Sequence, residues 1–154
     1  ELMGVEGVQV PIDTTGAAVS SDWLSLKNYS RATVVIAQGA WAGGTPAVTL
    51  AQATAVAGTS EKALAFPKRW TKVAVTGTTF VETAVTSDTF NLPATANTIN
   101  VIEIDAADLD TDGGFDTFQV EVASPGANAD LICIIVVLSG ARYPQAVMSD
   151  AKID

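Results

Sequence analysis

Between Thr117 and Val122 the chain alternates: Phe118, Val120 and Val122 are apolar, while Thr117, Gln119 and Glu121 are polar. A period of two predicts a strand with one dry and one wet face. The ladder-breaking residues Ser124-Pro125-Gly126-Ala127-Asn128 follow, and Leu131 to Leu138 is then apolar at every position. Such a run predicts a strand buried on both faces. Together with an apolar strand that begins near Thr98, this stretch predicts a hairpin at the centre of the core, Thr98–Leu138, wrapped around the acidic segment Glu103–Asp116.

The rest of the chain repeats shorter versions of the same signal. Ala32 to Ala37 is β-branched and strand-forming. Gly39 to Pro46 reads as a loop, Ala47–Ala53 as a strand, Gly58 to Glu61 as a turn, and Trp70 to Val75 as a further strand closed by Gly77. Thr78 to Leu92 is Thr-rich, with Phe80, Val81, Val85 and Phe90 as anchors. Helical periodicity is missing apart from a turn or two around Ala106 to Leu109, for which Asp105 is the expected N-cap. About eight to ten short strands spaced by turns predict an all-β fold, a sandwich or barrel. Its organisation is read as an extended N-terminal arm over residues 1–21, a body over 22–140 and a C-terminal tail over 141–154. Within the arm, Val8, Val10 and Ile12 fall on one side, so part of it is expected to add as an edge strand, where Pro11 is tolerated.

A chain of 154 residues is one domain in size and needs no disulfide staples. Seventeen acids against eight bases give a net charge of −9, which disfavours nucleic-acid and anionic-membrane partners. The eight residues 131–138 form the longest apolar run, well short of the ~20 that cross a bilayer as a helix. The N-terminus lacks a basic cap and a long apolar run, so no signal peptide is expected. Hydrophobic residues make up 48% of the chain and charged ones only 16%, which leaves few charges to cover a monomer and points to a contact between copies. The one cysteine, Cys133, falls in the apolar run and is expected to be buried and inert.

Candidate chemistry is thin. With no histidine in the chain, the common nucleophile–base pairs and imidazole zinc sites are excluded. Six acids fall within fourteen residues between Glu103 and Asp116, and Asp108-x-Asp110-x-Asp112-Gly113 reproduces the first half of a calcium loop, with Asp116 at its ninth position. Gln119 stands at the twelfth position, where a bidentate Glu is required. A solvated acidic turn is therefore favoured over a Ca²⁺ site on Asp108, Asp110, Asp112 and Asp116, and no cofactor is expected. Half of the bases, Lys62, Lys68, Arg69 and Lys72, cluster beside Phe66 and Trp70. This is either a binding patch or lysine stems lying along aromatic faces. Trp41, alone among small residues in its loop, is either folded over the sandwich edge or a partner anchor.

The phrases Ser25-Leu26-Lys27-Asn28-Tyr29, Ala51-Gln52-Ala53-Thr54-Ala55-Val56-Ala57-Gly58, Lys62-Ala63-Leu64-Ala65-Phe66, Val101-Ile102-Glu103-Ile104-Asp105, Gly114-Phe115-Asp116 and Arg142-Tyr143-Pro144-Gln145-Ala146 resemble small structural proteins of tailed bacteriophages. The likeness runs from about residue 23 to 146. It implies a virion component, and among these most resembles a head decoration (cement) protein. Such a protein is a single-domain β-sandwich, jelly-roll-like, with extended N- and C-terminal arms. It sits on the outer capsid surface, clamps the major capsid protein and associates with its own copies as a trimer or dimer. The resemblance supplies no catalytic residues. Interface candidates are Trp41, Lys68, Arg69, Trp70, Lys72, Arg142 and Tyr143. A tail or connector protein is the alternative within virions. A carbohydrate-binding sandwich, calcium-dependent and with Trp41 or Trp70 stacking on sugar, is the alternative of another class.

Overall fold

Alternation along three long strands sets the architecture. The computed structural model describes residues 4–73 and 77–143, with side chains from Val10 onward. Most of the 141–154 tail, from Pro144, and the end of the strand expected through Val75 lie outside the described residues. Twelve strands are found among the described residues: β1 Gly4–Asp13, β2 Val19–Ser20, β3 Leu24–Ser25, β4 Tyr29–Trp41, β5 Ala47–Ala53, β6 Lys62–Ala63, β7 Lys68–Lys72, β8 Val81–Ala84, β9 Thr89–Asn91, β10 Thr98–Asp105, β11 Thr117–Val122 and β12 Asp130–Ala141. They form two antiparallel sheets, one ordered β1-β12-β4-β10-β7-β8, the other β2-β11-β5-β6, with β3 beside β11 and β9 beside β5.

The pairings reveal the topology. β1 pairs with β12, β2 with β11, β4 with β10, and β5 with both β6 and β9. The first half of the chain thus pairs with the second half in reverse order, a double-stranded ribbon rolled into two sheets, which is the jelly roll. The β7–β8 hairpin extends the larger sheet past β10. Residues 4–13 of the segment read as an arm form β1, on the sheet edge where Pro11 needs no ladder hydrogen bond.

Every second residue of β4, β10, β11 and β12 enters one core. Val34, Ile36, Ile102, Ile134 and Val136 from the larger sheet meet Leu50, Phe118, Val120 and Val122 from the smaller, all fully buried. Each such side chain contributes about 1.5–3 kcal/mol relative to solvent exposure.

Three expectations change. Thr98–Leu138 is not a hairpin: β10 and β12 both pair with β4, and β11 lies in the other sheet. The turn at 124–128 carries the chain between sheets, because β4 offers β12 a ladder of matching length and the core needs β11's apolar face opposite. Gly39, Ala40 and Trp41 are strand rather than loop, since the β4 ladder continues to a pairing of Trp41 with Asp130. The run 131–138 is buried on one face only. Ile132, Ile134, Val136 and Leu138 are enclosed, but Leu131 is 38% exposed, and Cys133, Ile135 and Val137 are half-buried on the outer face. Cys133 therefore lies outside the sandwich core. The helical expectation resolves to a short 3-10 turn over Ala106–Asp108, with Asp105 as its N-cap and the Asp108 carboxylate accepting the Asp105 N–H at 2.8 Å.

At one end of the larger sheet, polar groups enter the interior as a chain. The Thr98 hydroxyl donates to Gln38 Oε1 and Gln38 Nε2 donates to Asp130 Oδ2, both at 2.9 Å. Asp130 is fully buried. Burial pushes its carboxyl above the ordinary 3.8, the Gln38 hydrogen bond opposes that shift, and nearby Asp13 adds to it.

Two outcomes are expected. Gly140 sits at φ +65°, and a Cβ there would lie 1.9 Å from Ser30 Oγ, whereas Gly114 at φ +81° has nothing within 4 Å. Gly114→Ala should cost about 1 kcal/mol for the left-handed backbone, and Gly140→Ala more than that because the Ser30 hydroxyl must also turn aside, read from denaturant midpoints. For Asp130, the folded state holds the proton more tightly than the unfolded chain. Its contribution to stability is therefore full below 3.8 and is lost as pH rises through the folded pKa. Asp130→Asn should thus be more stable than the parent at neutral pH. Thermal melts across the acid range should show that advantage closing as pH falls below the ordinary carboxylate value.

Candidate functional site

The residues singled out from sequence do not converge on one site. Trp41 pairs with Asp130 at one end of the β4–β12 ladder, and Ala141, next to Arg142 and Tyr143, pairs with Tyr29 at the other. Those ends are about 40 Å apart at strand rise. Trp41 folds onto its own loop, its indole N–H donating to the Gly44 carbonyl at 2.9 Å. Tyr143 is 66% exposed. Arg142 borders a shallow pocket of about 150 Å³ with Lys27, Leu109 and Asp116.

The basic cluster disperses across the fold. Lys62 lies 3.8 Å from the centre of the Phe115 ring and pairs with Asp110. Lys68 lies over Trp70 at 4.9 Å and pairs with Glu82 at 3.3 Å. Arg69 turns inward: its guanidinium donates to the Asn100 side chain at 3.0 Å and the Asn91 carbonyl at 3.2 Å, and lies 4.2 Å from the Phe90 ring centre. Phe90 in turn meets Phe66 edge-on at 5.9 Å. Burial lowers the Arg69 pKa. Arg69 therefore ties β7 in one sheet to the β9 strand in the other and is drawn into the fold. Lys68, Trp70 and Lys72 remain on the outer face of the larger sheet.

The acidic loop is bonded within its own chain. Asp110 caps a second 3-10 turn, Thr111–Gly113, by accepting the Gly113 N–H at 3.1 Å. Lys62 and the capping hydrogen bond both hold the Asp110 carboxyl below its usual range. Asp105 pairs with Arg31 at 2.8 Å. Gln119, at the twelfth position of the calcium-like pattern, donates to the Ser21 carbonyl at 2.9 Å. Among the described residues no three acids or thiols gather as a metal-holding group.

What the sequence reading missed is a surface. Successive rows across the outer face of the larger sheet read Val137–Thr33–Glu103, then Ile135–Val35–Val101–Trp70, then Cys133–Ala37–Ile99–Lys72. A sheet face that meets water is ordinarily polar at these positions. Here the middle of the face is aliphatic across three strands, with Ile99 36% exposed. Trp70 and Phe80 with Val101 and Glu103 line an open groove of about 290 Å³ at its edge. Phe80 borders this face at the groove. The available signal was the apolar run in β12 together with Val34-Val35-Ile36-Ala37 in β4: both strands are apolar at core and non-core positions alike.

Comparison with known proteins yields little. No family model matches the chain, and no curated protein does. One solved structure, described as the SPBc2 prophage-derived protein YomS, superposes with a TM-score of 0.43 at 12% identity, over 88% of this chain and 96% of that one. A likeness at that level carries no argument for kinship or role.

Proposed function

We propose that this protein is a non-enzymatic structural component of a phage virion, a decoration protein that binds the outside of an assembled capsid and stabilises its lattice. The observation that carries the reading is the aliphatic outer face of the larger sheet, a surface suited to contact between copies, as an oligomer set on a lattice requires. Around it, Arg69 and the loop acids Asp105, Asp108 and Asp110 are taken up by bonds within the chain. The sequence resemblance to small phage structural proteins supplies the virion setting. Repetition over a shell allows each contact to be weak, since multivalent attachment multiplies modest affinities. Binding to the assembled shell and not to separated subunits stabilises the shell by mass action.

A second reading rests on the Trp70–Phe80 groove. An aromatic floor beside a carboxylate is the kind of surface on which a sugar ring stacks. It narrows the carbohydrate alternative to Trp70, because the Trp41 indole is tied to its own loop.

Cosedimentation with purified expanded capsids, followed by electron microscopy of the decorated particles, tests the first reading. Added density on the outer shell and a raised capsid disruption temperature are expected. Density confined to the tail or connector would overturn the decoration role. Calorimetric titration with calcium and then with a glycan panel tests the second, which a flat response to both removes.

A further inference from the structure

We infer that the outer face of the larger sheet is the surface through which two copies of this chain pair, face to face. The inference stands on the structure alone and not on the capsid reading. On the solvent side of β12, from Leu131 to Val137, every residue is apolar. Val35 and Ala37 continue the patch on β4, and Ile99 and Val101 continue it on β10. At a rise of about 3.3 Å per residue and a strand spacing of about 4.8 Å, the patch with its rim measures roughly 20 by 25 Å. Two such faces stacked as in a sandwich remove on the order of 1,000 Å² from water together, which is the lower bound of a specific interface.

Charge identifies the occupant. The chain carries −9 overall, so most approaches between copies are repulsive. On the five strands from β12 to β8, the outward-facing charges are Arg31, Lys68 and Lys72 against Asp105, Glu103 and Glu82, three of each sign. Two of these pairs, Arg31–Asp105 and Lys68–Glu82, close within the chain. Glu103, which also acts on Arg31 from a distance, and Lys72 form no close ion pair among the described residues. A two-fold axis lying between the faces brings the partner's copy of each within reach of the other, since in an isologous contact the reciprocal pair forms automatically. A strongly basic or acidic partner gains nothing from a balanced face, whereas a second copy supplies both the matching apolar rows and the opposite charges.

Cys133 lies inside the patch and is half-buried in the single chain, so it reports on coverage without any mutation. Sedimentation equilibrium on the full chain, run alongside thiol-reagent labelling of Cys133, tests the inference. A concentration-dependent dimer is expected, with labelling slowing over the same concentrations. Val35→Glu places a charge on the outer face and leaves the core side of β4 intact. It should weaken pairing roughly thirtyfold or more, while circular dichroism keeps the parent spectrum. Glu103→Lys should weaken pairing, and adding Lys72→Glu should restore it. A monomer up to the solubility limit with constant Cys133 labelling overturns the inference. So does an oligomer in which neither Val35→Glu nor labelling changes. Protection of Cys133 only on a capsid, with the free chain monomeric, also overturns it and assigns the face to the shell. A chain that pairs as expected yet fails to bind capsids leaves this inference standing and removes the decoration role.

Discussion

The ladder between β4 and β12 is the interaction on which the rest of the structure depends. It runs from Trp41 and Asp130 at one end to Tyr29 and Ala141 at the other, and both strands are flanked on their far sides, by β10 and β1. A ladder of that length fixes register over the whole sheet, because a one-residue slip would turn Ile36, Ile134 and Val136 out of the core and Val35, Ile135 and Val137 into it. Near the ladder's far end, the left-handed backbone of Gly140 faces Ser30, whose hydroxyl would have to turn aside for any side chain there. The smaller sheet then has only to present one apolar face, and the alternation of β11 does so with Phe118, Val120 and Val122.

Polar groups inside this frame consolidate the fold. The Thr98–Gln38–Asp130 chain links three side chains that the long ladder carries into the interior, and burial there raises the pKa of the Asp130 carboxyl. Arg69, beside this chain, donates to Asn100 and spans from β7 to the β9 region across Phe90. Lys62 and Asp110 tie the acidic loop to the strand opposite it. The charged residues that looked most like chemistry in the sequence are, for the most part, fasteners between elements. The aliphatic outer face of the larger sheet has no such task among the described residues.

Such a face carries a physical cost in the isolated chain. Apolar side chains half-exposed over three strands lower solubility, and the net charge of −9 opposes that by keeping copies apart except where the face is electrically balanced. Repulsion elsewhere with attraction at one surface favours association in a single geometry. On the decoration reading proposed above, that property lets the protein cover a lattice without precipitating before it arrives.

The sequence alone was enough to establish strands, turns and class. Period-two alternation in 117–122, β-branched runs in 32–37 and 131–138, and Pro-Gly-Asn punctuation are local signals: the first coincides with β11, and the two runs lie within the longer strands β4 and β12. Asp105 as a cap and Pro11 on an edge strand were legible for the same reason, since both depend on neighbours along the chain. Strand partners were not legible. Whether β12 completes a hairpin with β11 or crosses to lie beside β4 depends on which long-range pairing buries more surface, and the two alternatives have the same local pattern. A strand apolar at every position likewise hides which of its faces meets the core: Leu131, Cys133, Ile135 and Val137 differ from Ile132, Ile134, Val136 and Leu138 only by register against β4 and by the position of the second sheet. The union of Lys62 with Asp110, of Arg69 with Asn100 and Phe90, and of three aliphatic rows into one outward face was decided by tertiary structure, because each joins residues distant in sequence that only the rolled ribbon brings together.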